Sequence, residues 1–192
     1  METNFYTKTL SNQSGTTFGS EILRDILVPA LVGHNEDILY WSGKLIARKL
    51  LLASNSDLRL FFEYAGWGNL KHVKSKKELH VFELSGEPIK MRLSVDENAD
   101  FKIEAGFIAE TYQLHDHHVA EASIDKIDND KKIVTISIHV DPQTSINEES
   151  TSEPFSMIEF DKVQKEAQQV SSDSSNETTE KVKNEEDQKT AD

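Results

Sequence analysis

The sequence predicts an α/β (α+β) fold, with helices packed on one face of a four-stranded antiparallel sheet in the order ααα-ββ-α-ββ and a disordered C-terminal tail. Three observations predict it. Between residues 18 and 65, apolar residues recur in three blocks at helical spacing. From Asn69 the period changes to two, most cleanly where Val134, Ile136, Ile138 and Val140 alternate with Thr135, Ser137 and His139. That alternation suits a sheet covered by helices on one side only. After Pro142, Ser, Thr, Glu, Gln, Asn and Lys dominate. Such a segment cannot bury enough apolar area to offset its chain entropy.

The first helix is expected from near Phe18. Ile22, Leu23, Ile26, Leu27, Ala30 and Leu31 share one face, Ser20 is the N-cap, Glu21 suits the positive end, and Gly33 terminates the helix. Pro29 removes a backbone donor and should kink or shorten it. Asn35 caps a second helix whose first turn holds Glu36 and Asp37. Ile38, Leu39, Trp41, Leu45, Ile46, Leu50 and Leu52 cover much of its circumference, which predicts burial on more than one side. Gly43 at its middle costs about 1 kcal/mol against Ala, so close approach of another helix is expected there. A third helix runs from Ser56 to Ala65, with Leu58, Phe61 and Phe62 inward and Gly66 at its end.

Leu70–Lys74 and Glu78–Ser85 read as a hairpin around Ser75–Lys77. Gly86 and Pro88 break the second strand, and Ile89–Asp100 reads as a looser stretch. Glu104–Leu114 is the fourth helix, with Phe107, Ile108 and Leu114 apolar. Val119–Asp128 and Lys131–Asp141 form a second hairpin about Asn129-Asp130. The expected organisation is a mobile arm over 1–17, a folded domain over 18–141 and an acidic tail over 142–192. Within the tail a short amphipathic helix is expected at 155–170, with Phe155, Phe160, Val163, Ala167 and Val170 on one arc.

Composition narrows the function. The 192 residues carry a formal net charge of −13, with 13 acidic and 5 basic residues from Ser145 onward. Phosphate backbones would be repelled, so nucleic acid is not an expected partner. There is no cysteine, which removes disulfides, thiolate metal sites and a cysteine nucleophile. The longest apolar run, Ile26–Val32, is far short of the roughly 20 residues a transmembrane helix needs. The polar start at Met1–Gly19 lacks a signal-peptide pattern, and the expected location is cytoplasmic.

Three segments carry a family resemblance: Tyr40-Trp41-Ser42-Gly43-Lys44 with Ala47-Arg48-Lys49; Phe61-Phe62-Glu63 with Ala65-Gly66-Trp67-Gly68; and Glu104-Ala105-Gly106-Phe107-Ile108-Ala109-Glu110. Over about residues 18–141 the chain resembles the YslB-like family, a bacterial family of unknown function. That family in turn resembles vinyl-reductase-type small-molecule-binding domains and the subunits of the TRAPP tethering complex. The resemblance implies the same helix-on-sheet order. It also implies binding of a small hydrophobic molecule or dimerisation through helices. Functions of those relatives that depend on cysteines cannot be carried over to this chain.

The candidate ligand-binding set is Tyr40, Trp41, Gly43, Arg48, Gly66, Trp67, Gly68, Glu104, Gly106 and Phe107. The aromatic members would wall an apolar pocket, with the glycines permitting close approach; the alternative is an ordinary packed core. Arg48 and Glu104 would form a buried ion pair or anchor a pocket mouth, or else simply answer the helix dipoles. Phe155, Phe160 and Val163 are candidates for docking a partner protein. His115, His117 and His118 form the one metal-like cluster, with His115 and His117 on one side of an extended segment, but without a recognised ligand spacing. No metal or other cofactor is expected. No Gly-x-Ser-x-Gly elbow or phosphate-binding loop is present, and the domain is not expected to be an enzyme. The leading expectation is a non-enzymatic domain for a small hydrophobic ligand. The alternative is a scaffold acting as a homodimer or in a larger complex, and a metal-dependent enzyme ranks third.

Overall fold

The computed structural model describes residues 19, 22–33, 37–146 and 153–166. The expected arm over 1–17, the caps Ser20 and Asn35, and most of the expected disordered tail lie outside the described residues. The chain divides into two units, Met1–Phe155 and Ser156–Asp192.

In the first unit, helix α1 comprises a π-wound stretch, Ile22–Leu27, followed by α-helical Val28–Val32. Pro29 sits at the start of the second part, where a missing N–H is least costly. Gly33 ends it at φ 64°, its N–H donating to the Pro29 carbonyl. No residue of α1 is buried, and Leu23, Leu27 and Leu31 point outward.

Helix α2, Asp37–Lys49, carries Arg48 and Lys49 at its negative end. It buries Leu39, Gly43, Lys44 and Ala47, a narrower face than its apolar content predicts. Ile38, Trp41 and Leu45 are exposed, so burial on more than one side does not occur. The reason is that one neighbour, the later helix Lys102–Asp116, occupies the side bearing the small residues. A 3-10 turn, Asn55–Asp57, leads into α3, Leu58–Tyr64, which buries Leu58, Leu60 and Phe62.

Strands β1, Asn69–Lys76, and β2, Leu79–Ser85, form the first hairpin, with Lys77 left-handed at φ 51° in its turn. The stretch after β2 is not loose. Glu87–Val95 is a helix, α4, so the order becomes ααα-ββ-αα-ββ. Pro88 occupies the first turn of α4, a position where proline starts a helix rather than breaking one. Helix α5, Lys102–Asp116, is the centre of the fold, and every residue from Glu104 to Gln113 is buried.

Strands β3, His118–Asp128, and β4, Ile133–Ser145, complete an antiparallel sheet of order β1-β2-β4-β3. Asp128 faces Ile133, so the second turn spans 129–132 rather than Asn129-Asp130 alone. Val134, Ile136, Ile138 and Val140 are buried as the alternation requires. β4 continues through Pro142, beyond the expected boundary, because its pairing with β2 has ended at His139. A proline lacking its donor is tolerated where one flank is unpaired.

Phe155 is not helical. It forms an isolated parallel bridge with Leu52, its N–H donating to the Leu51 carbonyl at 2.7 Å. The second unit holds a helix at 157–166, where Ser156 Oγ accepts the Glu159 N–H and Lys165 pairs with Asp161 at 2.7 Å. Phe160 and Val163 are exposed on it. Phe155 lies outside the helix expected at 155–170, and Ala167 and Val170 lie outside the described residues.

Candidate functional site

Of the residues singled out from sequence, Tyr40, Gly43, Gly106 and Phe107 lie where α2 crosses α5. Gly43 and Gly106 are the contact point. A Cβ added at Gly106 would meet the Tyr40 carbonyl oxygen at 2.0 Å, and one added at Gly43 would meet the Ile103 carbonyl oxygen at 2.0 Å. Two backbones touch here because neither helix carries a side chain between them.

This approach places a charged network beneath α2. Lys44 is 2% exposed and Glu110 is fully buried. The Lys44 ammonium lies 3.6 Å from Glu110, 3.2 Å from Glu121 and 3.0 Å from the Ala120 carbonyl oxygen. Arg48 Nε donates to the other Glu110 oxygen at 2.5 Å, and Gln113 donates to Glu110 at 3.3 Å. Tyr40 OH donates to Glu121 at 2.5 Å and accepts the Ala122 N–H at 3.0 Å. Burial, and then the bond to the Glu121 carboxylate, push the Tyr40 hydroxyl well above the ordinary tyrosine range. Each buried charge has opposite-charge and neutral partners, the condition under which such groups are tolerated in a core.

A second network ties α1 to the core. Glu104, fully buried, pairs with Arg24 and with Arg92 at 3.0 Å. Arg92 also holds Asp25 through two nitrogens, at 2.9 and 3.2 Å, and reaches the Asp100 carbonyl oxygen at 2.5 Å. Its guanidinium lies 4.4 Å over the Phe101 ring, and that of Arg24 lies 5.3 Å over Trp67. Burial raises the Asp100 carboxyl above its usual range. A cavity of about 240 Å³ opens beside this cluster, lined in part by Arg24, Asp25, Leu39, Arg92, Asp100 and Ile103.

The expected aromatic wall is split. Trp67 packs edge-on against Phe61, Phe62 and Phe107, while Phe61 stacks on Phe107 at 4.3 Å. Tyr40 contacts Trp41, which is 57% exposed. No ring contact among the described residues joins the two tryptophans. Gly66 and Gly68 shape the turn after α3, at φ 68° and 110°, and a side chain at Gly68 would strike the Ser85 carbonyl. Arg48 and Glu104 both form ion pairs, but not with one another. The cavity beside Glu104 and a larger groove beside β1 are lined by other residues than these ten.

The histidines do not share an extended segment. His115 is in α5, because the helix runs on to Asp116, and His117 is its left-handed cap at φ 56°. His118 Nδ1 lies 2.6 Å from the Asp116 carbonyl oxygen. Among the described residues no three His, Asp or Glu side chains come together at metal-binding distance. No described helix is long and apolar enough to cross a membrane.

Sequence reading missed Arg92 and Gln113 as network members and named Lys44 and Glu110 only within segments. A signal existed for one of them: Glu104 and Glu110 bracket the unbroken run Ala105–Ala109, so both must enter the core with it.

Comparison with known proteins agrees with the resemblance carried by the α2, α3 and α5 segments. The protein named "Uncharacterized protein YslB" from Bacillus subtilis (strain 168) is 42% identical over 106 residues, covering 55% of this chain and 72% of that protein. A crystal structure of trafficking protein particle complex subunit 3 from Naegleria fowleri, covalently bound to palmitic acid, aligns with 69% of this chain and 93% of its own at 15% identity and a TM-score of 0.39. Residues 17–139 match the family described as "Protein of unknown function (DUF2507)", and with most of the folded domain inside that match the chain belongs to this family.

Proposed function

We propose that the domain is a non-catalytic interaction module that works as a pair of copies packed through the outer face of α2. The observation that carries this reading is the stripe Ile38, Trp41 and Leu45, which are 39, 57 and 55% exposed on a helix whose buried face packs on α5 and β3. At spacings of three and four they form one continuous apolar strip. A twofold contact needs a self-complementary surface. The strip has that character: Asp37 is exposed at one end and Lys49 at the other. An antiparallel α2–α2 contact sets the Asp37 of each copy against Lys49 of the other.

Binding of a small hydrophobic molecule is the second reading. It is favoured by the cluster of Trp67, Phe61 and Phe107, whose first two members are only partly buried. Entry there requires a ring to move, because these side chains already fill one another's space.

Native mass spectrometry of the purified full chain addresses both readings. A dimer mass that becomes monomeric in Leu45→Glu, with unchanged circular dichroism, supports pairing. A strict monomer at tens of micromolar, or a dimer indifferent to Leu45→Glu, refutes it. Extra mass lost on organic extraction supports the ligand reading instead.

A further inference from the structure

We infer that the groove between the Asn55–Tyr64 segment and edge strand β1 receives an extended acidic peptide from a partner protein, which adds to the sheet as a fifth strand. The groove has a volume of about 640 Å³, within the range of natural binding pockets. Its apolar floor includes Leu58, Leu70, Phe82 and Tyr112. His72 stacks on Phe82 at 4.7 Å and extends that floor along the strand.

The backbone of β1 is a free template. β1 is the outermost strand, bonded to β2 alone, and no other backbone hydrogen bond among the described residues reaches Asn69–Lys76. Main-chain pairing at such an edge supplies affinity, while pockets for alternate side chains supply selectivity. Here the floor takes the apolar side chains of the peptide. Asn55, on the opposite wall, has its Oδ1 buried without a hydrogen-bond partner. A buried carboxamide oxygen of this kind calls for an N–H donor. Turning the partly exposed Asn55 side chain toward the groove would let a peptide N–H reach it.

Charge selects the occupant. β1 carries Lys71, Lys74 and Lys76 and no acidic residue, and Lys77 follows in the turn, in a chain of net charge −13. All four are exposed. Edge lysines discourage pairing with a second identical edge, since like charges then face each other. The same lysines attract a strand with acidic residues on its outward face. The opposite edge, β3, carries Glu121, Asp125 and Asp128 beside Lys126 and has no such preference.

The test uses the full chain and a fluorescein-labelled peptide, acetyl-Glu-Val-Glu-Leu-Glu-Val-Glu-amide, read by fluorescence anisotropy. Saturable binding is expected, with amide shifts in β1 rather than β3 in a labelled NMR sample. Lys71→Glu with Lys74→Glu, both at exposed positions, should weaken binding at least about tenfold. Asn55→Ala should weaken it separately, without changing the salt dependence. Equal binding of the version with Lys in place of Glu overturns the inference. So does binding unaffected by the charge reversal, shifts confined to β3, no binding at millimolar peptide, or stronger binding of an eight-residue oligothymidine. No residue of α2 lines this groove, and Leu45→Glu should leave peptide binding intact.

Discussion

Replacing Gly106 by Ala tests whether the α2–α5 contact governs the fold. The new methyl group would stand 2.0 Å from the Tyr40 carbonyl oxygen, 3.0 Å from its carbon and 3.3 Å from the Lys44 nitrogen. An unstrained carbon–oxygen contact is roughly 3.3 Å, so the helices must part by about 1 Å. All three opposing atoms are backbone, and no side chain can rotate away. Within an isolated helix the substitution would stabilise by about 1 kcal/mol. Overpacking costs about 1–3 kcal/mol, and the shift also draws Lys44 from Glu110, now 3.6 Å away. A net loss of about 2 kcal/mol is expected, or about 8 °C in Tm for a domain of this size. Thermal unfolding by circular dichroism measures it. Gly43→Ala should act in the same direction through the Ile103 carbonyl, whereas Gly19→Ala meets nothing within 4 Å and should melt with the parent. If Gly106→Ala and Gly43→Ala melted at or above the parent temperature, the close-contact argument would be refuted.

Two further outcomes follow from the buried groups. Lys44→Met leaves Glu110 with Arg48 and Gln113, so the cost should fall below the roughly 3–5 kcal/mol of a fully orphaned charge, at about 2 kcal/mol by urea unfolding; a neutral result would show that the ammonium contributes nothing to the core. His80 is shifted below its ordinary 6.5 by burial first and by His72 second. The unfolded chain therefore binds the proton more readily. The stability held above pH 6.5 should decline as pH falls below that value and level off under the folded pKa. His80→Asn should lose this slope between pH 7.5 and 5, and parallel melting curves for both proteins would place the titration elsewhere.

Much of the architecture was legible because the signals were local. The alternation from Val134 to Val140 specifies which face of β4 is buried, and Gly33 and Gly66 sit where the chain takes positive φ. Gly43 was readable as a close approach because nothing else offsets its cost in mid-helix. Helix α4 was missed because Pro88 resembles a breaker until its place in the first turn is known. The left-handed His117 was missed because a cap is recognisable mainly when the residue is Gly or Asn. The exposure of Trp41 was not legible for a different reason: composition makes it look like core, but exposure depends on what lies opposite.

The sequence by itself determined the helix-on-sheet class, the family and the absence of any thiol chemistry, since periodicity, motif order and composition need no partner to be read. Only the tertiary structure decided that Lys44 and Glu110 meet inside the protein and that Arg48 and Glu104 pair with different residues. It also decided that α2 keeps Ile38, Trp41 and Leu45 outside. These outcomes depend on which side of α2 meets α5, and that choice is made by Gly43 and Gly106 together, 63 positions apart in the chain. Backbone contact at the two glycines, Gly43 on Ile103 and Gly106 on Tyr40, leaves no room for the larger apolar residues on that side and turns them to the surface, where the proposed pairing uses them.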